Sequence, residues 1–107
     1  MVKVVKDVTD IENIYTCFDF DGFGDWDDFD VLRTVLAKHL RCNVIESFDG
    51  IYSRHCYFKK GKLAFKLLHH EDFGNCLCSN EKKDEDYYNA LGDIAEDTAS
   101  HLNAINK

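Results

Sequence analysis

Proline is absent from this sequence, and methionine and tryptophan each occur only once. A chain without proline contains no polyproline-type spacer, and no stretch of it has the low-complexity composition of a flexible linker. The 107 residues therefore predict one domain over 1–107, able to bury about two thirds of its unfolded surface. Hydrophobic residues make up 45% of the chain, too many for a disordered protein, so a packed core is expected.

Long hydrophobic runs are missing as well. The N-terminal segment MVKVVKDVTD has charges among its valines and lacks the apolar centre of a signal peptide. No segment has the length of apolar sequence that crosses a membrane. These absences predict a cytoplasmic protein that makes no membrane contact. Five cysteines, an odd number, favour reduced thiols over a disulfide framework.

Positive charge is scarce: 13 Lys and Arg stand against 20 Asp and Glu, for a formal net charge of -7. Direct nucleic-acid binding requires a basic footprint, so nucleic acid is not the predicted partner. Residues 1–50 hold eleven acids and five bases, residues 51–70 hold five bases and no acid, and residues 71–107 hold nine acids and three bases. Acidic segments on either side of a basic one suit a basic protein partner.

Hydrophobic periodicity predicts the element order β-α-β-β-β-β-α, preceded by a short strand at Val2 to Val5 and a helical turn around Asp10 to Ile14. The elements are a strand at 14–20, a helix from the 25–28 region to 40, a strand at 41–48, a hairpin over 53–70 turning at Lys60-Gly61, a strand at 74–78 and a helix at 84–105. The last helix has a predicted buried stripe made of Tyr87, Leu91, Ile94, Thr98, Leu102 and Ile105.

Consecutive strands joined by short turns imply antiparallel pairing. The predicted fold class is therefore α+β: an antiparallel sheet of four to five strands with two amphipathic helices packed on one face. Within the hairpin, Phe58 is expected to face Leu63, and Cys56 is expected to face Phe65.

The segment CFDFDGFGDWDDFD, residues 17–30, carries six aspartates. Asp25, Asp27 and Asp28 fit the start of a helix, where acids favour the positive end of the dipole. Capping leaves Asp19, Asp21 and Asp30 without a structural role, beside Trp26 and several phenylalanines. Acids mixed with aromatics in a glycine-containing loop are typical of a protein interface, with aromatic anchors for affinity and charge for steering.

Two metal-based alternatives compete for the same aspartates. Asp19, Asp21 and Gly22 match part of the D-x-D-G-T motif of haloacid-dehalogenase-type phosphatases, but Phe23 replaces the threonine and the following hairpins do not suit such an enzyme. The spacing also approaches a calcium-binding EF-hand loop, but Phe23 stands where an oxygen ligand is required and Asp30 replaces the bidentate glutamate. The sequence predicts no metal, no cofactor and no catalytic residue.

The cysteines offer a weaker alternative. Cys76 and Cys78 lie two residues apart on a predicted strand, and His69 and His70 precede them, so a zinc site from these four residues is conceivable. A single C-x-C lacks the paired or spaced ligands of strong zinc motifs, and buried structural cysteines are the favoured interpretation.

A family resemblance extends over the second half of the chain. The stretch YFKKGKLAFKLLHHEDFGNCL, followed by a polar break and the helix YYNALGDIAEDTASHL, resembles small bacterial immunity proteins, those of contact-dependent growth-inhibition systems in particular. The shared features are the G-x-L-x-F-x-L strand from Gly61 to Leu67, an acidic turn and the terminal helix. The turn here, Asp72-Phe73-Gly74, is one residue shorter than the D/E-x-x-G spacing of that family. The resemblance implies a small cytoplasmic protein that binds a toxin domain, commonly a basic nuclease, and blocks its substrate surface without catalysis.

The sequence thus predicts an immunity protein, a monomer or weak dimer that neutralises a cognate basic toxin domain through an acidic patch. The predicted contact residues are Asp19, Asp21, Asp25, Trp26, Asp27, Asp30, Glu71, Asp72 and Tyr87. A metal-dependent hydrolase or Ca/Mg-binding protein using Asp19 and Asp21 is the alternative from another class. A general acidic adaptor domain is the third.

Overall fold

The computed structural model describes residues 1–9 and 15–105. They form one antiparallel sheet and two helical segments. The elements are β1 (Lys3–Thr9), β2 (Tyr15–Asp21), α1 (Asp28–Thr34) continuing as a π-helix (Val35–His39), β3 (Asn43–Asp49), β4 (Ser53–Lys60), β5 (Leu63–His70), β6 (Gly74–Cys78) and α2 (Glu85–Ile105). The fold class α+β, with an antiparallel sheet and two helices, is confirmed.

The sheet has six strands in the spatial order β1-β2-β6-β5-β4-β3, so the predicted four to five strands and the predicted element order were wrong. The sixth strand is β1, predicted only as a short strand at Val2 to Val5 outside the sheet; it runs to Thr9 and pairs with β2 along its whole length, from Lys3 opposite Asp21 to Thr9 opposite Tyr15. Its charged residues interrupt the apolar pattern that identifies buried strands. An edge strand tolerates such charges, which protect it from pairing with other chains. The helical turn predicted at Asp10 to Ile14 lies outside the described residues.

The central hairpin of β4 and β5 contributes four side chains to the core. Phe58 is paired with Phe65 and Cys56 with Leu67, and all four side chains are buried. The predicted pairs of Phe58 with Leu63 and Cys56 with Phe65 were each two residues out of register, because the turn consists of Gly61 and Lys62 rather than Lys60 and Gly61. A shift of two residues keeps every side chain on its predicted face of the sheet.

Helix α2 covers the same face of the sheet with Leu91, Ile94, Thr98 and Leu102, as predicted. The remaining positions differ from the predicted stripe: Tyr88 and Ala99 are buried, Tyr87 is half-buried and Ile105 is exposed. The helix approaches the sheet closely at Gly92, where a Cβ atom would lie 3.0 Å from the ring of Phe18. In the described ranges, no helix is long and apolar enough to cross a membrane.

The two helical segments and the apolar side chains beneath them occupy one face of the sheet. We call the other side the open face. Strand alternation places on it Cys17 and Asp19 of β2, Cys76 and Cys78 of β6, Lys66 and Leu68 of β5, and His55 and Tyr57 of β4.

Candidate binding surface at the loop end

Three connections emerge together at one end of the sheet. They are the β2–α1 connection (22–27), the β3–β4 turn (50–52) and the β5–β6 turn (71–73). They meet because β2, β3 and β5 all end where β4 and β6 begin in this antiparallel sheet. We call this surface the loop end.

A buried arginine supports the loop end from below. The side chain of Arg54 is only 7% exposed. Its guanidinium donates two hydrogen bonds to the carboxylate of Asp30, at 2.9 and 3.0 Å, and one to that of Asp49, at 3.0 Å. It also donates to the backbone carbonyl of Trp26 at 3.0 Å and lies 5.0 Å from the centre of the Trp26 ring. Arg54 therefore ties the β2–α1 connection to the start of α1 and to the end of β3.

Asn75, which is 1% exposed, supports the same connection from β6. Its amide nitrogen donates to the carbonyls of Phe23 (2.9 Å) and Asp25 (3.2 Å). Its amide oxygen lies 2.9 Å from Nδ1 of His69, and because an amide oxygen only accepts, this histidine nitrogen is the donor. The His69 ring in turn meets the edge of Trp26, at 5.4 Å between centroids.

Close backbone contact completes the support. Gly24 and Gly74 face each other so closely that a Cβ atom on either would lie 3.2 Å from the Cα of the other. Gly74 has a φ of 82°, which strains any residue with a side chain. The β2–α1 connection and the β5–β6 turn are therefore held against each other as one surface.

Large apolar side chains remain exposed on this supported surface. Ile51 is 85% exposed, Phe73 80%, Tyr52 62% and Trp26 40%. Trp26, Ile51 and Tyr52 also line a shallow cavity of about 380 Å³, together with Gly24, Asp25, His69 and Glu71. Apolar side chains grouped this way around a cavity are typical of an interaction surface.

Negative charge surrounds these side chains. Asp21, Asp25, Asp27, Glu71 and Asp72 are exposed at the loop end. Among the described residues none of the five forms a salt bridge with Lys or Arg, and Asp72 alone has a weak contact, 3.9 Å from Nδ1 of His70. The surface is thus both apolar and strongly acidic.

Asp30 belongs to the support rather than to this free charge. The hydrogen bonds from Arg54 hold the pKa of its carboxyl below the usual range, and Arg33 adds a contact at 2.7 Å. The same pairing raises the pKa of Arg54. The sequence indicated no structural role for the charge of Asp30. The ion pairs with Arg54 and Arg33 supply one.

The other predicted contact residues are distributed over three places. Asp21, Asp25, Trp26, Asp27, Glu71 and Asp72 lie together at the loop end, directly above Asp30. Asp19 lies on the open face, where burial first, and then the neighbouring Cys17 and Asp7, raise the pKa of its carboxyl to about 6. Tyr87 lies at the opposite end of the sheet, where its hydroxyl donates to the carbonyl of Ala64 and burial raises its pKa.

Sequence reasoning missed Ile51, Tyr52, Phe73 and the supporting Arg54. Ile51 and Tyr52 directly follow Asp49-Gly50, a residue pair typical of turns. Apolar residues next to such a pair were the available sign that these side chains are exposed. Arg54 was counted with the lysines of a basic hairpin. Its burial depends on carboxylates brought from α1 and β3, which strand periodicity does not reveal.

The metal-based alternatives gain no support from the geometry. Asp19 and Asp21 lie two residues apart on β2, an inner strand of the sheet, and so share one of its faces. Within the described ranges, the one group of three side chains placed to bind a metal is Cys17, Cys76 and Cys78. His69 lies on the helix-covered face, opposite Asn75. It is therefore separated by the sheet from the two cysteines with which a zinc site was conceivable.

Comparison with known proteins gives no match to a family model, and neither a curated protein nor a solved structure is detectably similar to this chain.

Proposed function

We propose that the protein is an immunity protein, which binds a basic toxin domain, such as a nuclease, through the loop end and blocks the toxin's substrate-binding surface. One observation carries the proposal: four exposed apolar side chains share one surface with five exposed carboxylates that no Lys or Arg of the described ranges pairs with, and the Arg54 and Asn75 hydrogen bonds hold this surface. This binding role involves no catalytic chemistry.

The composition of the surface suits such a partner. Exposed Trp, Tyr and Phe side chains supply the large contact area on which binding hot spots depend. Unpaired carboxylates attract a basic groove and can raise the association rate to about 10⁸ M⁻¹s⁻¹ at low salt. A phosphate-binding groove is itself basic, so an acidic surface that fills it competes with nucleic acid.

The rigidity of the support favours tight binding. The β2–α1 connection is held by hydrogen bonds from Arg54 and Asn75 to its own carbonyls. A surface ordered before binding loses less conformational entropy when the complex forms. The loop end is therefore suited to a stoichiometric inhibitor.

The test is a growth-rescue experiment with the toxin domain encoded immediately upstream of the gene. Expression of that domain in a bacterial host should arrest growth, and co-expression of this protein should restore it. A variant with Asp25→Asn, Asp27→Asn, Glu71→Gln and Phe73→Ala should fail to restore growth. All four side chains are exposed, so the variant should fold normally.

The matched control changes the same number of charges at the other end of the sheet. Lys59→Gln, Lys60→Gln and Lys62→Gln alter three exposed lysines and should still allow rescue. Equal rescue by both variants would rule out the loop end as the interface. Absence of any toxin gene beside this one, or failure of the unmodified protein to rescue growth, would contradict the immunity function.

A further inference from the structure

Three cysteine side chains from two neighbouring strands meet on the open face. Their sulfur atoms lie within 4.8 Å of one another. Cys76 and Cys78 are two apart on β6 and so point to the same side. The pairing of Phe18 with Leu77 and of Asp19 with Cys76 places Cys17 of β2 directly opposite Cys78. The sheet register therefore assembles the cluster from positions that the sequence separates by about sixty residues.

The cluster differs from the protein's other two cysteines. Cys42 and Cys56 lie in the hydrophobic core beneath the helices, where they pack as small apolar side chains, and burial raises the pKa of both thiols. Cys76 and Cys78 are equally buried but do not belong to that core. Their sulfur atoms instead lie close to that of Cys17 and to each other, an arrangement that apolar packing alone does not require.

A positive charge lies beside the cluster, and solvent can reach it. Lys66 lies opposite Cys78 on β5, and a neighbouring ammonium group favours the thiolate form of cysteine. Cys17 is also the half-buried member of the three, so an ion can reach the cluster from solvent. Thiolates are the form in which cysteine binds metals.

We propose that Cys17, Cys76 and Cys78 form a binding site for a single thiophilic divalent metal ion of the zinc class, with the fourth coordination position open to water. Three sulfurs around one zinc at about 2.3 Å lie roughly 3.8 Å apart in tetrahedral geometry. The cluster therefore has to contract by about 1 Å at most, which side-chain rotation supplies. Binding releases the remaining thiol protons to solvent, with no oxidation or reduction.

Three sulfur ligands without a nitrogen ligand select soft metals over Mg²⁺ or Ca²⁺. The site therefore differs in chemistry from the aspartate-based metal sites suggested by the sequence. It also lies on a different surface from the loop end, so the metal-site proposal and the binding-surface proposal can be tested independently.

The test uses Co²⁺ as a spectroscopic probe and Zn²⁺ as a competitor, added to the fully reduced, metal-free protein. One equivalent of Co²⁺ should produce the intense thiolate-to-cobalt charge-transfer absorption, and Zn²⁺ should displace it. Cys17→Ala should weaken binding by at least about tenfold, the smallest loss expected even for removing an outer-shell partner of a ligand. Cys17 is half-buried, so this variant should remain folded.

Cys42→Ala is the matched control, since it removes one thiol from the core and leaves the cluster intact; it should bind Co²⁺ like the unmodified protein. Cys76→Ala and Cys78→Ala, checked for folding by circular dichroism, should match Cys17→Ala. The proposal is overturned if no charge-transfer band forms, or if Cys42→Ala weakens binding as much as Cys17→Ala. It is equally overturned if Zn²⁺ leaves the alkylation rate of Cys17 unchanged.

Discussion

The two ends of the sheet use similar side chains in opposite ways. At the end opposite the loop end, the hydroxyl of Tyr87 donates to Ala64, and the hydroxyl of Tyr57 accepts from Asn80. The ammonium groups of Lys83 and Lys66 lie 5.6 and 6.0 Å from the centres of these two rings. At the loop end, Tyr52 and Phe73 stand largely in solvent. Tyrosine hydroxyls are thus hydrogen-bonded within the molecule at one end, whereas at the other end large aromatic side chains remain mostly exposed to solvent.

Cavity size alone would favour the end opposite the loop end. The cavity beside Tyr57 and Lys66 has a volume of about 520 Å³, against about 380 Å³ at the loop end. Its lining mixes Lys59, Lys66 and Lys83 with Glu46 and Glu81, so its charges largely cancel. Exposed aromatic and acidic side chains, rather than cavity volume, therefore distinguish the candidate interface.

The largest effect is expected from a substitution that removes the buried support of the loop end. Arg54→Met should lower the free energy of unfolding by about 3 kcal/mol, because it leaves the carboxylates of Asp30 and Asp49 without their buried partner. Urea denaturation measures the effect. Arg33→Met removes a more exposed partner of Asp30 and should cost less than about 1 kcal/mol. Equal losses for the two variants would contradict the role given to Arg54.

A second change acts on the other support. Asn75→Ala should cost about 2 kcal/mol, because it leaves the carbonyls of Phe23 and Asp25 and the ring of His69 without their partner. Hydrogen exchange should also become faster at residues 22–27. Asn80→Ala, which removes an exposed hydrogen bond at the other end, should change stability by less than about 0.5 kcal/mol. Unchanged exchange at 22–27 in Asn75→Ala would show that the connection has other support.

The Asp30 ion pair should make stability depend on pH in the acid range. Its pKa is depressed in the folded protein, chiefly by the hydrogen bonds from Arg54, so its contribution is complete above the unfolded pKa of about 4 and is lost as pH falls through the folded value. Asp30→Asn should therefore reduce the loss of stability between pH 7 and pH 3, by no more than about 1 kcal/mol because the carboxylate is half exposed. An unchanged pH profile would contradict the pairing.

The smallest effect is expected from the exposed side chains themselves. Ile51→Ala and Phe73→Ala should each change the free energy of unfolding by less than about 0.5 kcal/mol, because both side chains are at least 80% exposed. Thermal unfolding measures this. A large loss from either substitution would mean that the side chain stabilises the fold rather than serving a partner. Cys56→Ala, at a fully buried position, provides the contrasting case and should be clearly destabilising.

The sequence predicted the parts of the fold that depend on local pattern. Strand alternation around Phe58 and Phe65 and the helical spacing of Leu91, Ile94 and Leu102 correctly identified the core face. Strand β1 was cut short because an edge strand carries charges that resemble a loop. Composition identified the acidic and aromatic character of residues 17–30. It did not show that residues 22–27 lie beside 50–52 and 71–73, because that proximity depends on the strand order. The thiol cluster depends on the same order, since only the pairing of β2 with β6 brings Cys17 to Cys78.

The central claim is that the loop end is the binding surface, and its most direct test is an NMR footprint. Isotope-labelled protein is titrated with the catalytically inactivated toxin domain encoded beside its gene, and backbone amide shifts are followed. The account predicts that the largest changes fall at 22–27, 50–53 and 71–74, and that they weaken as salt is raised. Changes concentrated at 59–62 and 79–84, at the opposite end of the sheet, would contradict it.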